Sequence, residues 1–290
     1  MSDKNTAFLA IFLGAILGGA TSTITKIGLV EIPPLSFIFL RFFIASLLIS
    51  PFVFRNGKNF KYFSGIIPLS LLATFNIILF IFGIKLTTAT IGQLLYAATP
   101  FLTSAILYFF YKERLSTMKV LGILIGFIGV SMVVILPVIE RHNPFSGNLF
   151  GNFLIGIGVI LWSFYMVFSK RILKKYSPFD ITSGFIFVTT IVSFPLFIFD
   201  TFTNNGWWLN LDPAAIIAIS YVAIISTIVT YLLNQYAIKY GGSVFASMLF
   251  YLLPIFAFIT AFILLGERLT VGLLIGGTLA LLGTYLTTRK

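Results

Sequence analysis

The chain has 290 residues, 59% hydrophobic and 9% charged, with a mean hydropathy of +1.06 and a formal net charge of +11. Soluble domains carry about 25% charged residues, so an ordinary water-soluble domain is excluded, and at roughly 20 residues per crossing the length holds about ten membrane-spanning helices. The bases punctuate the ends of apolar runs and form no continuous patch, which excludes nucleic acid as a partner, and the lack of cysteine excludes disulfides and thiolate metal sites.

The first span is predicted over residues 6–26. Its start has the outline of a cleavable signal, with Lys4 before an apolar run and Gly18-Gly19-Ala20 after it. Residues 21–26 nevertheless have matched partners later in the chain, so the segment is expected to be retained. Pro33-Pro34 mark a turn, and the second span covers 35–54. Arg55, Lys58 and Lys61 lead into the third, at 64–85. Spans four and five occupy 88–130, with a bend at Pro100 and the turn Glu113-Arg114-Leu115-Ser116 between them. Glu140-Arg141-His142-Asn143-Pro144 closes the first half. The second half follows with spans at 151–170, 180–199, 214–239, 243–265 and 271–287. Its longest polar connection, 200–212, contains Trp207-Trp208, whose rings belong at the lipid headgroup level.

Residues 88–130 return 154 positions later as 242–284. Pro100 matches Pro254, the turn matches Glu267-Arg268-Leu269-Thr270, and Gly122 and Gly129 match Gly276 and Gly283. Ile84-Lys85 and Ile238-Lys239 keep the same offset. Lys26, Pro34 and Pro51 match Lys170, Pro178 and Pro195 at an offset of 144, the ten-residue difference falling in the tryptophan loop. The predicted fold is therefore an all-α membrane protein of ten transmembrane helices, built as two five-helix repeats, 1–143 and 144–290, around a central cavity. Five is odd, so the second repeat enters the membrane in the opposite sense, as in transporters that work by alternating access. With the amino terminus in the cytoplasm, fourteen of the nineteen lysines and arginines fall on that side, which predicts a multi-pass protein of the cell (inner or plasma) membrane with both termini cytoplasmic.

Gly266-Glu267-Arg268-Leu269, with Gly276 and Gly283 after it, resembles the ending of an EamA-type half in the drug/metabolite transporter superfamily. Glu113-Arg114-Leu115 with Gly122 and Gly129 is similar, as is Arg41-Phe42 in the second span. The first copy carries Lys112 where that turn usually has glycine. The resemblance covers essentially the whole chain and implies a ten-helix exporter of small metabolites, commonly amino acids, with a central cavity.

The candidate site residues lie on shared helix faces. Gln93, Tyr96, Ala97 and Pro100 stand at i, i+3, i+4 and i+7. Pro100 cannot donate to the carbonyl of Tyr96, so that carbonyl is expected to be free and the helix kinked. Backbone freed in this way is tolerated where it lines protein or a wet cavity. Pro254 repeats the pattern on a face with Ser247 and Tyr251, and both prolines are candidate gating kinks. Span six presents Trp162 and Tyr165 opposite the small face of span one, which holds Gly18, Thr21, Ser22 and Thr25. Asn234 shares a face with Thr230, whereas Asn76 reads as a bridge between helices. The predicted substrate contacts are thus Thr21, Gln93, Tyr96, Trp162, Tyr165, Asn234, Ser247 and Tyr251. Arg41, about 10 Å into its span at 1.5 Å per residue, is predicted to be anchored by backbone carbonyls or a loop acid such as Glu31. The small residues of spans five and ten allow close helix packing, either with each other or against a second protomer in a homodimer.

No acid falls in mid-membrane and the sole histidine is in a loop, so proton coupling through buried Asp, Glu or His is disfavoured. The sequence calls for no cofactor, metal or catalytic residue. Neither a Gly-x-Ser-x-Gly elbow nor a His-Glu-x-x-His helix occurs, which sets an enzyme aside. The favoured reading is export of a small metabolite, with an amino acid or related compound as the best substrate. The rival reading is a lipid or polyprenyl-carrier flippase of the same fold.

Overall fold

The computed structural model describes residues 3–55, 60–112, 116–140, 143–204 and 206–288. Glu113-Arg114-Leu115, Lys58, Arg141-His142 and the terminal Arg289-Lys290 lie outside the described residues, and with them part of the charge pattern that predicts orientation. Ten helical segments follow in order: α1 Asn5–Gly28, α2 Pro34–Arg55, α3 Tyr62–Leu86, α4 Ala89–Tyr111, α5 Thr117–Ile139, α6 Leu149–Ile172, α7 Pro178–Thr203, α8 Pro213–Gly241, α9 Ser243–Leu265 and α10 Val271–Thr288. Eight are long and apolar enough to cross a membrane. In α5 and α10 the apolar stretch is shorter, Val120–Leu136 and Val271–Gly283. No strand occurs among the described residues. Large apolar side chains such as Phe52, Phe109 and Ile263 point outward at 65–74% exposure, as a lipid-facing surface requires.

Exchanging the two halves leaves the packing pattern unchanged. Helix α3 packs along α6 as α8 packs along α1, and α4 meets α6 as α9 meets α1. The self-paired contacts α2 with α7 and α5 with α10 are also extensive. A Cβ added at Gly129 would come 2.7 Å from the Gly276 carbonyl oxygen, and one at Gly283 would come 2.6 Å from that of Gly122. The glycine seams therefore bring α5 and α10 backbone to backbone within one chain.

Helix starts are held by side chains from near and far. Ser177 and Asp180 form a capping box on α7, and Asn148 Oδ1 accepts from Gly151 N–H at the start of α6. Asp200 Oδ2 accepts from the backbone and hydroxyl of Ser36 at the start of α2. Glu267 does the same for α4, accepting from Ala89 N at 2.7 Å, Thr90 N at 2.9 Å and Thr90 Oγ1 at 2.7 Å. Each first turn presents unpaired N–H groups and the positive end of the helix dipole, and a carboxylate satisfies both. Lys26 Nζ lies 4.0 Å from Glu267 Oε1 and donates to the Thr87 carbonyl, so α1 joins the same cluster.

One expectation changes. The carbonyl of Tyr96 is not free, because α4 tightens into a 3₁₀ turn over Tyr96–Ala98 and Thr99 N–H donates to it. At the end of α4 Lys112 takes the left-handed conformation at φ +53°, where its counterpart Gly266 has +65°. A lysine tolerates this at a local cost of about 1 kcal/mol that glycine avoids.

Candidate functional site

Four helices are interrupted along their length, and the interruptions meet. Helix α1 breaks at Ala20, between Gly19 and Thr21. Helix α4 breaks at the 3₁₀ turn, α9 breaks at Ser247–Met248, and α8 is π-helical over Val222–Thr230. Within the π segment Thr227 Oγ1 and Thr230 Oγ1 donate to the carbonyls of Val222 and Ile225, five residues back. Such segments gather at functional sites because the widened turn re-aims the side chains beyond it.

The breaks surround a cavity of about 80 Å³. Its walls come from α1, α3, α4, α6, α8 and α9, the helices whose polar and aromatic faces predicted it, and from α2 through Arg41. Thr21, Gln93, Tyr96, Trp162 and Asn234 line it. Thr21 Oγ1 hydrogen-bonds Ser226 Oγ at 2.8 Å, and the Tyr96 ring stacks on Phe250 at 5.6 Å. Asn76 Nδ2 donates to Tyr96 Oη at 2.6 Å and to the Gly158 carbonyl at 2.8 Å, so it ties α3 to α4 and α6 while also facing the cavity. Two lining groups are buried with unpartnered polar atoms: both amide atoms of Asn234 and the indole nitrogen of Trp162.

The other candidate residues lie elsewhere. Tyr165 sits behind Trp162, their rings stacked at 4.7 Å, and its hydroxyl accepts from Gln235 Nε2 at 2.7 Å. Ser247 is fully buried and donates to the Val244 carbonyl, and Tyr251 does not reach the cavity. Pro100 is buried in α4 away from the cavity, and Pro254 lines a shallow lateral groove beside Thr90 and Leu94.

Arg41 was predicted to be anchored by backbone carbonyls or a loop acid; hydroxyls of α8 hold it instead, and it faces the cavity. Its Nε donates to Thr227 Oγ1 at 2.5 Å and one Nη to Tyr231 Oη at 3.3 Å, while Glu31 accepts from Asp212 N–H far from it in the chain. The sequence signal was present in its depth, but its repeat partner is Phe185 and nothing local named hydroxyls of α8 as its neighbours.

The lining follows the repeat. Gly18 and Trp162 stand 144 apart, and Asn76 and Thr230, Ile77 and Tyr231, Phe80 and Asn234, and Tyr96 and Phe250 each stand 154 apart; both members of every pair face the cavity. The pseudo-twofold axis thus passes through it.

The EamA-like transporter family model matches the chain twice, over residues 5–135 and 149–289. An uncharacterized transporter of Archaeoglobus fulgidus is 28% identical over 295 residues, covering 100% of this chain and 99% of that one. A probable amino-acid metabolite efflux pump of Salmonella typhimurium is 25% identical, covering 99% and 95%. A WAT1-related protein of Arabidopsis thaliana is 28% identical, covering 86% and 79%. A crystal structure at 18% identity superposes with a TM-score of 0.65 over 97% of this chain and 96% of that chain, a likeness of fold.

Proposed function

The chain belongs to the EamA-like transporter family of the drug/metabolite transporter superfamily, and from that membership we propose that it exports a small metabolite, an amino acid or related compound, by alternating access. It is a multi-pass membrane transporter and, like its relatives, not an enzyme. The observation that carries the finer reading is the cavity itself, which lies on the axis between the halves, is lined by broken helices and contains unpartnered polar groups. Small-molecule sites usually enclose about 300 Å³ or more, so a cavity of about 80 Å³ must widen to admit substrate. Interrupted helices meeting there are suited to hinge in that way. The name of the Salmonella relative supports an amino acid as cargo.

Within this reading Trp162 supplies a stacking face and Gln93 a polar contact. Purified protein in vesicles, screened against amino acids and related metabolites, identifies the cargo. Trp162→Ala and Gln93→Ala are each expected to weaken its binding by about 1 to 3 kcal/mol, while both variants remain folded. Unchanged affinity in both would move the site elsewhere.

We place the halves at 1–143 and 144–290, supported by the gap between the two family matches, and both termini in the cytoplasm of a cell whose plasma or inner membrane holds the protein. The native chain lacks cysteine. A single cysteine replacing exposed Val30, between α1 and α2, should therefore react with a membrane-impermeant maleimide added outside intact cells, and one replacing Lys175, between α6 and α7, only after lysis. The opposite labelling pattern would invert the topology.

A further inference from the structure

Arg41 is the one charged side chain among the described residues that line the cavity, and it is 1% exposed. A lone charge held inside a membrane protein is costly unless an opposite charge meets it. No acid among the described residues does so. Among the described residues the guanidinium donates to two hydroxyls, Thr227 Oγ1 at 2.5 Å and Tyr231 Oη at 3.3 Å, and lies 5.3 Å from the Phe42 ring centre. The Thr227 hydroxyl hydrogen is itself engaged with the Val222 carbonyl, and the Arg41 cation also lies 5.6 Å from the Tyr231 ring centre. These contacts hold the side chain in place and leave its charge uncompensated. Among the described residues most of its Nη hydrogens have no acceptor, and that edge is a fork matched to two oxygens of one carboxylate. The unpartnered indole N–H of Trp162 and amide of Asn234 line the same cavity, adding donors suited to an anion and one acceptor suited to an ammonium group.

We propose that Arg41 is the counter-ion of the transported molecule, so that the site takes small carboxylates, with or without an amino group, and refuses their neutral and cationic analogues. One fixed charge matches a monoanion, whereas a dianionic phosphate would leave a charge unmatched in the same low-dielectric space. The assignment rests on the cavity being the transport site.

The test is ligand-induced stabilisation of the purified full chain, titrated with the amino acids, small aliphatic and aromatic carboxylates, and the matched amide and decarboxylated amine of each binder. Each carboxylate that binds should do so about tenfold or more tightly than its amide or amine, the loss expected for one charge-assisted contact. In Arg41→Gln the acid and amide should become equal within about twofold, while Arg41→Lys, which keeps the charge and loses the fork, should retain part of the preference. The wild-type comparison decides the matter even if Arg41→Gln does not fold. Amides or amines that bind as well as the acids overturn the assignment and leave the transporter reading intact. Binding of organic acids without any amino acid keeps the assignment and removes the amino-acid cargo. No binding by any member of the series overturns both.

Discussion

Replacing Glu267 by alanine is expected to lower the stability of the protein by about 3 kcal/mol or more, since two buried N–H groups and a hydroxyl at the start of α4 lose their acceptor together. Lys26 would lose its only described ion-pair partner in the same step. Glu267→Gln keeps the shape but offers one acceptor oxygen, and should recover part of the loss. Arg268→Ala, next in the chain and exposed, should stay within about 0.5 kcal/mol of the parent. Thermal unfolding in detergent, read by loss of the monodisperse peak, ranks the three. If Glu267→Ala melts with Arg268→Ala, the carboxylate is not what holds the start of α4.

A second large effect is expected at the glycine seam. A side chain at Gly283 would have to occupy space held by the backbone of Gly122 and Gly126, which cannot swing aside as a side chain can. Gly283→Leu should therefore force α5 and α10 apart, costing about 3 kcal/mol or more, at the upper end of overpacking effects. Leu282→Ala trims the side chain at the preceding position, which is 49% exposed on the lipid side, and it should be tolerated. Equal recovery of folded protein from both variants would show that the seam can open without loss.

The architecture was legible because the membrane leaves few options. Runs of apolar residues must be helices, and the spacing of Pro100 and Pro254, or of Gly129 and Gly283, survives as a repeat that predicts which helices pair. The cavity was legible to the extent that helix faces were straight. Gln93, Tyr96, Trp162, Thr21 and Asn234 lie where face counting puts them. Ser247 and Tyr251 do not, since α9 breaks at Ser247–Met248 and the periodicity does not carry through a turn. Tyr165 shares a face with Trp162, yet the indole covers it, and spacing alone does not say which of two aromatic rings stands in front. The partners of Arg41 were not legible because Thr227 and Tyr231 are more than 180 positions away, in or beside a π segment that no propensity announces.

The paired lining has a further consequence for whatever occupies the cavity. A frame with a twofold axis offers a guest every pose twice, the second rotated by half a turn. Here the copies are chemically unlike: Trp162 is the counterpart of Gly18, Asn234 that of Phe80, and the position matching Arg41 is Phe185. A rotated pose would meet the rings of Phe80 and Phe250 where the first meets Asn234 and Tyr96, which favours one orientation of a guest. If the halves exchange shapes to open the other face, as the proposed cycle requires, the backbone positions swap roles but the side chains do not travel with them. A guest would then be held by the same groups at a different distance from the exit, and the inward-open and outward-open sites would differ in half-saturation concentration.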